Sequence, residues 1–255
     1  MHAVAAVVLA TSLLFSGVHQ PAEVNYVALG DSYAAGLGAG DYDLASGACE
    51  RSARAYSALW AAEHSATYTS VACNGASTAD VISGQLSALS DATTLVTITV
   101  GGTDIGFSSV LTGCVLGSDA GCAARVRAAE SAMTTSLSDA LDRTYQAIRQ
   151  HAPLATLVVV GYPRLFELGP CLFGLSLAKR TVLNEGADML AGVIADRAKV
   201  AGALFADARP AFAGHGVCSG HPWIHGVTIP LESSYHPTAT GQSAGYLPLL
   251  DSVAR

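Results

Sequence analysis

Five short apolar runs, separated by stretches of helical pattern, constrain this chain more than any other feature. They are Val24–Leu29, Thr67–Ala72, Leu95–Val100, Ala155–Val160 and Ala203–Phe205. Each is rich in β-branched, Leu or Ala residues and gives way to a turn-forming residue: Gly30, Asn74-Gly75, Gly101-Gly102, Gly161 and Asp207. Between them lie segments whose apolar residues recur at helical spacing: Arg54–Glu63, Ala79–Leu89, Ala123–His151 and Ser176–Val200, with a closing helix over Thr238–Val253. The spacing predicts Pro237 in the first turn of that last helix and Ser77 or Thr78 as the cap of the second. Ile105–Gly121 reads as irregular. Strands alternating with helices mean βαβ units and right-handed crossovers. The fold expected is a three-layer α/β/α sandwich around a central five-stranded parallel sheet.

At 255 residues and 51% hydrophobic, the chain buries one substantial core. We expect a single domain over residues 23–255, preceded by a hydrophobic leader over residues 1–22. The leader's apolar run, Ala3–Ala10 continuing through Leu13-Leu14-Phe15, is too short for a membrane span and reads as a secretory signal peptide. No Lys or Arg precedes that run and no clean Ala-x-Ala site precedes Glu23. With the leader removed, no stable membrane insertion is expected. Charged residues are only 13%, the net charge is −7, and Lys and Arg do not cluster, so a nucleic-acid partner is not expected.

The six cysteines are Cys49, Cys73, Cys114, Cys122, Cys171 and Cys218, and an even count fits three disulfides in an oxidising, extracellular compartment. Sequential pairing is the simplest connectivity. No C-x-x-C pair supports a zinc ribbon or a thioredoxin-type motif.

Chemistry collects beyond the carboxyl ends of strands in open α/β sheets. The first strand ends in Gly30-Asp31-Ser32-Tyr33, so Ser32 is either a nucleophile or a helix cap. A second constellation favours the nucleophile. Near the C-terminus stands Ser233-Ser234-Tyr235-His236-Pro237, where His236 supplies a base that is neutral at pH 7. The backbone N–H groups of Ser32 and Gly75 supply donors for a developing oxyanion. Asp31 and Asp104 read as turn anchors, and Asp207 as a reserve triad acid. His215, His221 and His225 lack metal-ligand spacing. Gly36-Leu37-Gly38-Ala39-Gly40 lacks the spacing of a dinucleotide loop. Tyr33, Phe107, Leu111, Leu172 and Phe173 are candidates for the wall of an acyl pocket.

These blocks resemble the SGNH hydrolases (GDSL-type esterases and lipases), especially the secreted actinobacterial lipase/esterase branch with three disulfides. Gly30-Asp31-Ser32-Tyr33 is similar to the first family block, Gly75 to the second, Gly101–Phe107 to the third, and His236-Pro237-Thr238 with Gly241 to the last. The resemblance implies a flavodoxin-like sandwich without metal or organic cofactor, Ser32 as nucleophile and His236 as general base. It also implies an oxyanion hole at Ser32 and Gly75, and it supports the sequential disulfides. The chain departs from the family pattern twice. Thr103 stands where the family has an Asn that completes the oxyanion hole. Ser233 stands where many members have the triad Asp, so a backbone carbonyl, that of Ser233 or of Ser234, is expected to orient His236. The expected activity is that of a secreted serine esterase or lipase, acting as a monomer on small-molecule or lipid esters through an acyl-enzyme. Carbohydrate acetylesterase, phospholipase and non-catalytic binding are the alternatives.

Overall fold

The computed structural model describes residues 23–254, so the leader expected over residues 1–22 lies outside them. Five strands form one parallel sheet: β1 (Asn25–Gly30), β2 (Thr67–Ser70), β3 (Leu95–Thr99), β4 (Thr156–Val160) and β5 (Leu204–Ala206), in the order β2-β1-β3-β4-β5. β1 pairs with β2 from Asn25↔Thr67 to Ala28↔Ser70, and with β3 from Tyr26↔Leu95 to Gly30↔Thr99. The chain therefore winds one way from β1 to β2 and the other way from β3 onward. That reversal leaves a crevice beyond the carboxyl ends of β1 and β3, where such sheets place their sites. The architecture is the one expected.

Strands buried on both faces read as continuous apolar runs rather than alternating ones. Every residue of β3 is buried, and so are Tyr26 to Gly30 of β1. The few polar groups there are satisfied: Tyr26 Oη lies 2.8 Å from Thr97 Oγ1, and Tyr56 Oη lies 3.2 Å from Thr99 Oγ1.

The helices are α1 (Ser32–Ala35), α2 (Tyr56–Glu63), α3 (Thr78–Asp80), α4 (Phe107–Leu116), α5 (Asp119–Ala132), α6 (Ser138–His151), α7 (Leu177–Val200), α8 (Ala208–Ala211) and α9 (Leu247–Val253). α2 packs with α9, while α3, α5 and α6 pack with each other or with α7, so the sheet is sandwiched. A wide π turn at Met133–Leu137 joins α5 to α6, and the predicted Ala123–His151 helix thus runs from Asp119 to His151. Ser77 caps α3 in a reciprocal box with Asp80.

Two expectations are corrected. The segment expected to be irregular, Ile105–Gly121, holds all of α4 and the start of α5. The Cys114–Cys122 disulfide joins these helices, and Arg125 packs so closely on Gly113 that a Cβ there would lie 2.2 Å from its Nε. The closing helix does not begin at Pro237, which pairs with Ile224 in a short antiparallel bridge. Thr238 Oγ1 instead accepts the Gly241 N–H at 3.1 Å, opening a helical turn that passes through a π segment at Gly241–Tyr246 into α9. All six cysteines pair sequentially: Cys49–Cys73, Cys114–Cys122 and Cys171–Cys218.

Candidate active site

Gly30 ends β1 with φ +124°, and a Cβ there would lie 2.2 Å from the Thr99 carbonyl oxygen, so only glycine fits. Gln85 fixes this glycine from both sides. Its Oε1 accepts the Gly30 N–H at 2.8 Å, and its Nε2 donates to the Gly30 carbonyl at 2.9 Å. Asp31 follows as the N-cap of α1, accepting the Tyr33 N–H at 3.0 Å, and Ser32 becomes the first helical residue. Asp31, not Ser32, is therefore the cap, which leaves the Ser32 hydroxyl for another partner.

That partner is His236. Its Nε2 lies 2.8 Å from Ser32 Oγ, across 204 residues of sequence. Its Nδ1 lies 3.0 Å from the Ser234 carbonyl oxygen. A carbonyl can only accept, so Nδ1 carries the proton and Nε2 presents its lone pair to the serine O–H. Of the two carbonyls expected to orient the ring, it is that of Ser234 and not that of Ser233. Residues 231–233 form a turn in which the Ser233 carbonyl accepts the His236 main-chain N–H at 3.2 Å, so the next carbonyl meets the ring. Asp207 does not take part: it caps α8 and pairs with Arg209 at 2.6 Å.

Burial dominates the electrostatics. His236 is 6% exposed, and desolvation pulls its pKa down to about 4, against the opposing hydrogen bond to Ser234. The imidazole is therefore neutral, and a competent proton acceptor, across the physiological range. Asp31 shows the mirror effect. Burial pushes its carboxyl up to about 7, although Tyr162 and the N–H groups of Tyr33 and Ala34 donate to it.

Two tyrosines to which sequence reasoning gave no positioning role tie these parts together. Tyr162, just past β4, donates to Asp31 and accepts the Gly102 N–H at 3.0 Å, linking the first block to the third. Tyr33, noted only as a pocket wall, donates from its hydroxyl to the Tyr235 carbonyl at 2.6 Å. Tyr235 has a positive φ of 62° and immediately precedes His236, while the Tyr33 ring lies 5.0 Å from the imidazole. Nothing local in the sequence announces these contacts, since each joins segments sixty or more residues apart.

Gly75 has φ +78° with open space where a Cβ would point. Neither its N–H nor that of Ser32 is taken by an acceptor among the described residues. Asp104 accepts from the N–H and hydroxyl of Thr78, anchoring the third block to α3. Thr103 is exposed in the turn that follows Gly102, and its carbonyl accepts the Gly106 N–H at 3.0 Å.

The loop histidines serve other ends. His215 stacks on Trp223 with ring centroids 3.5 Å apart, and His225 Nε2 lies 2.9 Å from the Gly38 carbonyl. Among the described residues no group of three or more His, Cys, Asp or Glu side chains could hold a metal ion.

An open cleft of about 450 Å³ lies beside His236, walled by Phe107, Leu111, Val115, Leu116, Val227 and Leu231. Of the expected pocket wall, Phe107 and Leu111 line this cleft. Leu172 and Phe173 line a neighbouring groove that shares Val115, Val227 and Tyr235 with it. Chemically, the arrangement offers a serine hydroxyl within hydrogen-bond distance of a buried neutral imidazole, two unengaged N–H groups and an apolar cleft.

Residues 28–244 match the GDSL-like Lipase/Acylhydrolase family. The chain is 50% identical over 231 residues to a lipase of Streptomyces rimosus, covering 90% of this chain and 86% of that protein. It is 50% identical over 238 residues to lipase 1 of Streptomyces coelicolor, covering 92% and 89%. Among solved structures, the extracellular lipase of Streptomyces rimosus superposes with a TM-score of 0.88 at 49% identity, covering 90% of this chain and 99% of that one. Phospholipase A1 of Streptomyces albidoflavus gives 0.89 at 49% identity, covering 91% and 99%. This chain belongs to the GDSL-like lipase/acylhydrolase family, and it is a carboxylic ester hydrolase.

Proposed function

We propose that Ser32 is the nucleophile and His236 the general base of a secreted esterase or lipase acting on apolar acyl esters. The single observation that carries this reading is the 2.8 Å contact between Ser32 Oγ and His236 Nε2, with Nδ1 held on the Ser234 carbonyl. Ser32 Oγ attacks the ester carbonyl carbon while its proton passes to Nε2, and the carbonyl oxygen becomes an oxyanion. The N–H groups of Ser32 and Gly75 receive that oxyanion, and Thr103 takes the place of the third donor that the family pattern implies. Collapse expels the alcohol, which takes the proton from Nε2 and leaves an acyl-serine. Water then attacks the acyl carbon, giving its proton to Nε2, and the carboxylic acid leaves as Ser32 recovers that proton. A carbonyl orients the imidazole but stabilises imidazolium less than a carboxylate does.

The apolar cleft favours a hydrocarbon acyl group over a sugar, and likeness to a phospholipase A1 makes phospholipid a fitting substrate class. Three disulfides and an extracellular relative support export, with residues 1–22 as leader and residues 23–255 as one catalytic domain acting as a monomer. Hydrolysis of p-nitrophenyl esters from acetate to palmitate by the oxidised protein, beside Ser32→Ala, tests the reading. Activity should disappear in the variant. Equal activity in both proteins would overturn the nucleophile assignment.

A further inference from the structure

The groups that face the developing oxyanion come from separate loops, Ser32 after β1, Gly75 after β2 and Thr103 after β3. The ladder between β1 and β3 ends with the Asp31 N–H on the Thr99 carbonyl at 2.9 Å. Beyond that point no main-chain hydrogen bond among the described residues joins the loop after β1 to residues 100–106. The polar link between them is the side chain of Tyr162, buried two residues past β4. Its Oη accepts the Gly102 N–H at 3.0 Å and meets Asp31 Oδ2. An amide N–H can only donate, so the hydroxyl proton goes to the carboxylate, and the chain runs one way from Gly102 through Tyr162 to Asp31. The fit is close. A Cβ on Gly102 would lie 3.3 Å from Tyr162 Oη, and the ring packs edge-on to that of Tyr33 with centroids 5.1 Å apart.

A helix start leaves its first N–H groups without main-chain acceptors, and a capping carboxylate takes those that its orientation reaches. Asp31 Oδ1 accepts the Tyr33 N–H at 3.0 Å, and the Ala34 N–H also donates to the carboxylate. The Ser32 N–H, one residue earlier, has no acceptor among the described residues. The tyrosine proton on Oδ2 holds the carboxylate in this orientation. The same hydroxyl fixes Gly102, whose carbonyl accepts the Phe107 N–H at 3.0 Å and so closes the turn that carries Thr103.

We propose that Tyr162 is a positioning residue for the oxyanion hole. Through Asp31 it keeps the Ser32 N–H open to substrate, and through Gly102 it sets the loop after β3 against that N–H. The proposal rests on the reading of Ser32 as the nucleophile and of its own N–H as an oxyanion donor. Tyr162 acts on the hole and leaves the Ser32–His236 contact to β1 and the histidine loop.

The test is Tyr162→Phe, which removes one oxygen and keeps the ring. Its readouts are p-nitrophenyl butyrate hydrolysis and inhibition by trifluoromethyl hexyl ketone. In the inhibitor complex Ser32 Oγ bonds to the ketone carbon, the serine proton passes to His236 Nε2, and the carbonyl oxygen becomes an oxyanion in the hole. A misplacement of about 1 Å can cost about 10² in rate, so kcat should fall about ten- to a hundredfold with KM changed less than about twofold. Affinity for the ketone should fall by the same factor as kcat, because both report the oxyanion. Asp31→Asn breaks the chain from its other end, replacing the acceptor of the tyrosine proton with a donor. It should give the same split, and it decides the matter if Tyr162→Phe does not fold. The double variant should lose little more than either single one, since both act through one chain. Unchanged kcat and ketone affinity per folded molecule, or losses that multiply in the double variant, would overturn the proposal. Failure of the underlying reading shows separately, as butyrate hydrolysis that survives Ser32→Ala.

Discussion

Ser32 and His236 meet at 2.8 Å, yet the two sides of that contact are built differently. The serine stands at the end of a fully paired central strand, one residue past a cap and two past a glycine bracketed by Gln85. The histidine stands on a loop, held by a one-bridge pairing of Ile224 with Pro237 and six main-chain hydrogen bonds within residues 223–238, those of the turn at 231–233 among them. The serine's place is thus a by-product of folding the sheet. The histidine's place depends on a handful of local bonds that the sheet does not need. Damage to the first side should therefore appear as lost stability, and damage to the second as lost activity.

The largest effect is expected from His236→Ala. Removing a general base, the role proposed for His236, costs on the order of 10²–10⁴ in turnover, and among the described residues no carboxylate bonds its ring. We expect a loss of about 10³-fold in kcat with cooperative thermal unfolding retained, read by ester hydrolysis and circular dichroism. Loss of the unfolding transition together with the activity would contradict the independence of this side from the core.

The two sides also respond to protons with opposite sign. Asp31 has a native pKa of about 7 against an ordinary 3.8, so between those values the native state keeps a proton that the unfolded chain has released. Its contribution to stability therefore falls as pH rises through that window. His236 has a native pKa of about 4 against an ordinary 6.5, so there the unfolded chain takes the proton first. Its contribution rises with pH over about 4 to 6.5. Relative to the wild type, Asp31→Asn should gain stability as pH is raised from about 4 to 7, and His236→Gln should lose it from about 4 to 6.5. Urea midpoints across pH check both, with slopes of up to about 1.4 kcal/mol per pH unit. Curves for both variants parallel to the wild type would show that neither group titrates as described. In activity, kcat/KM of the wild type should hold until pH falls through about 4, since only then does His236 take up its proton.

Gln85→Leu probes the core side. It removes the Gln85 partner of the Gly30 N–H, while the Gly30 carbonyl keeps the Cys73 N–H at 3.0 Å, and it retains an apolar side chain of similar length. Leaving buried backbone groups unpaired costs about 1–3 kcal/mol each. We expect a fall of roughly 1–3 kcal/mol in unfolding free energy, and turnover per folded molecule within a few-fold of the wild type. A variant of native stability but greatly reduced turnover would invert the comparison.

Much of this was legible in the sequence because strands buried on both faces announce themselves. The runs ending at Gly30, Gly101 and Gly161 gave β1, β3 and β4 nearly to the residue, and Gly30 and Gly75 marked left-handed backbone that only glycine adopts cheaply. Ser32, His236 and the cysteine pairs followed from such local signals and from the family blocks. What was not legible depends on contacts between distant segments. Helix α4 carries Ser108, Ser109, Thr112 and Gly113, a weak helical composition, and it forms against α5 with a disulfide across the pair. The Ser233 and Ser234 carbonyls differ only in which one the turn at 231–233 uses for itself. Tyr162 reaches Asp31 across 131 residues, with no spacing to reveal it.

The smallest effect belongs to another side-chain bond between the two regions. The Tyr33 hydroxyl runs from the helix that starts at Ser32 to the carbonyl of Tyr235, beside the base, and holds that residue in its left-handed conformation. Tyr33→Phe keeps the ring packed against His236 and Tyr162 but releases this carbonyl. A hydrogen bond of this kind contributes about 0.5–1.5 kcal/mol, and its loss lets the imidazole drift from the serine it must deprotonate. We expect kcat to fall up to about tenfold, KM to change little because the apolar cleft is intact, and the unfolding midpoint to move only slightly. A merely structural tyrosine would lower stability and leave the kcat of the folded fraction alone. The split between kcat and stability in this single variant therefore shows whether the base is positioned from the nucleophile's own helix or by its loop alone.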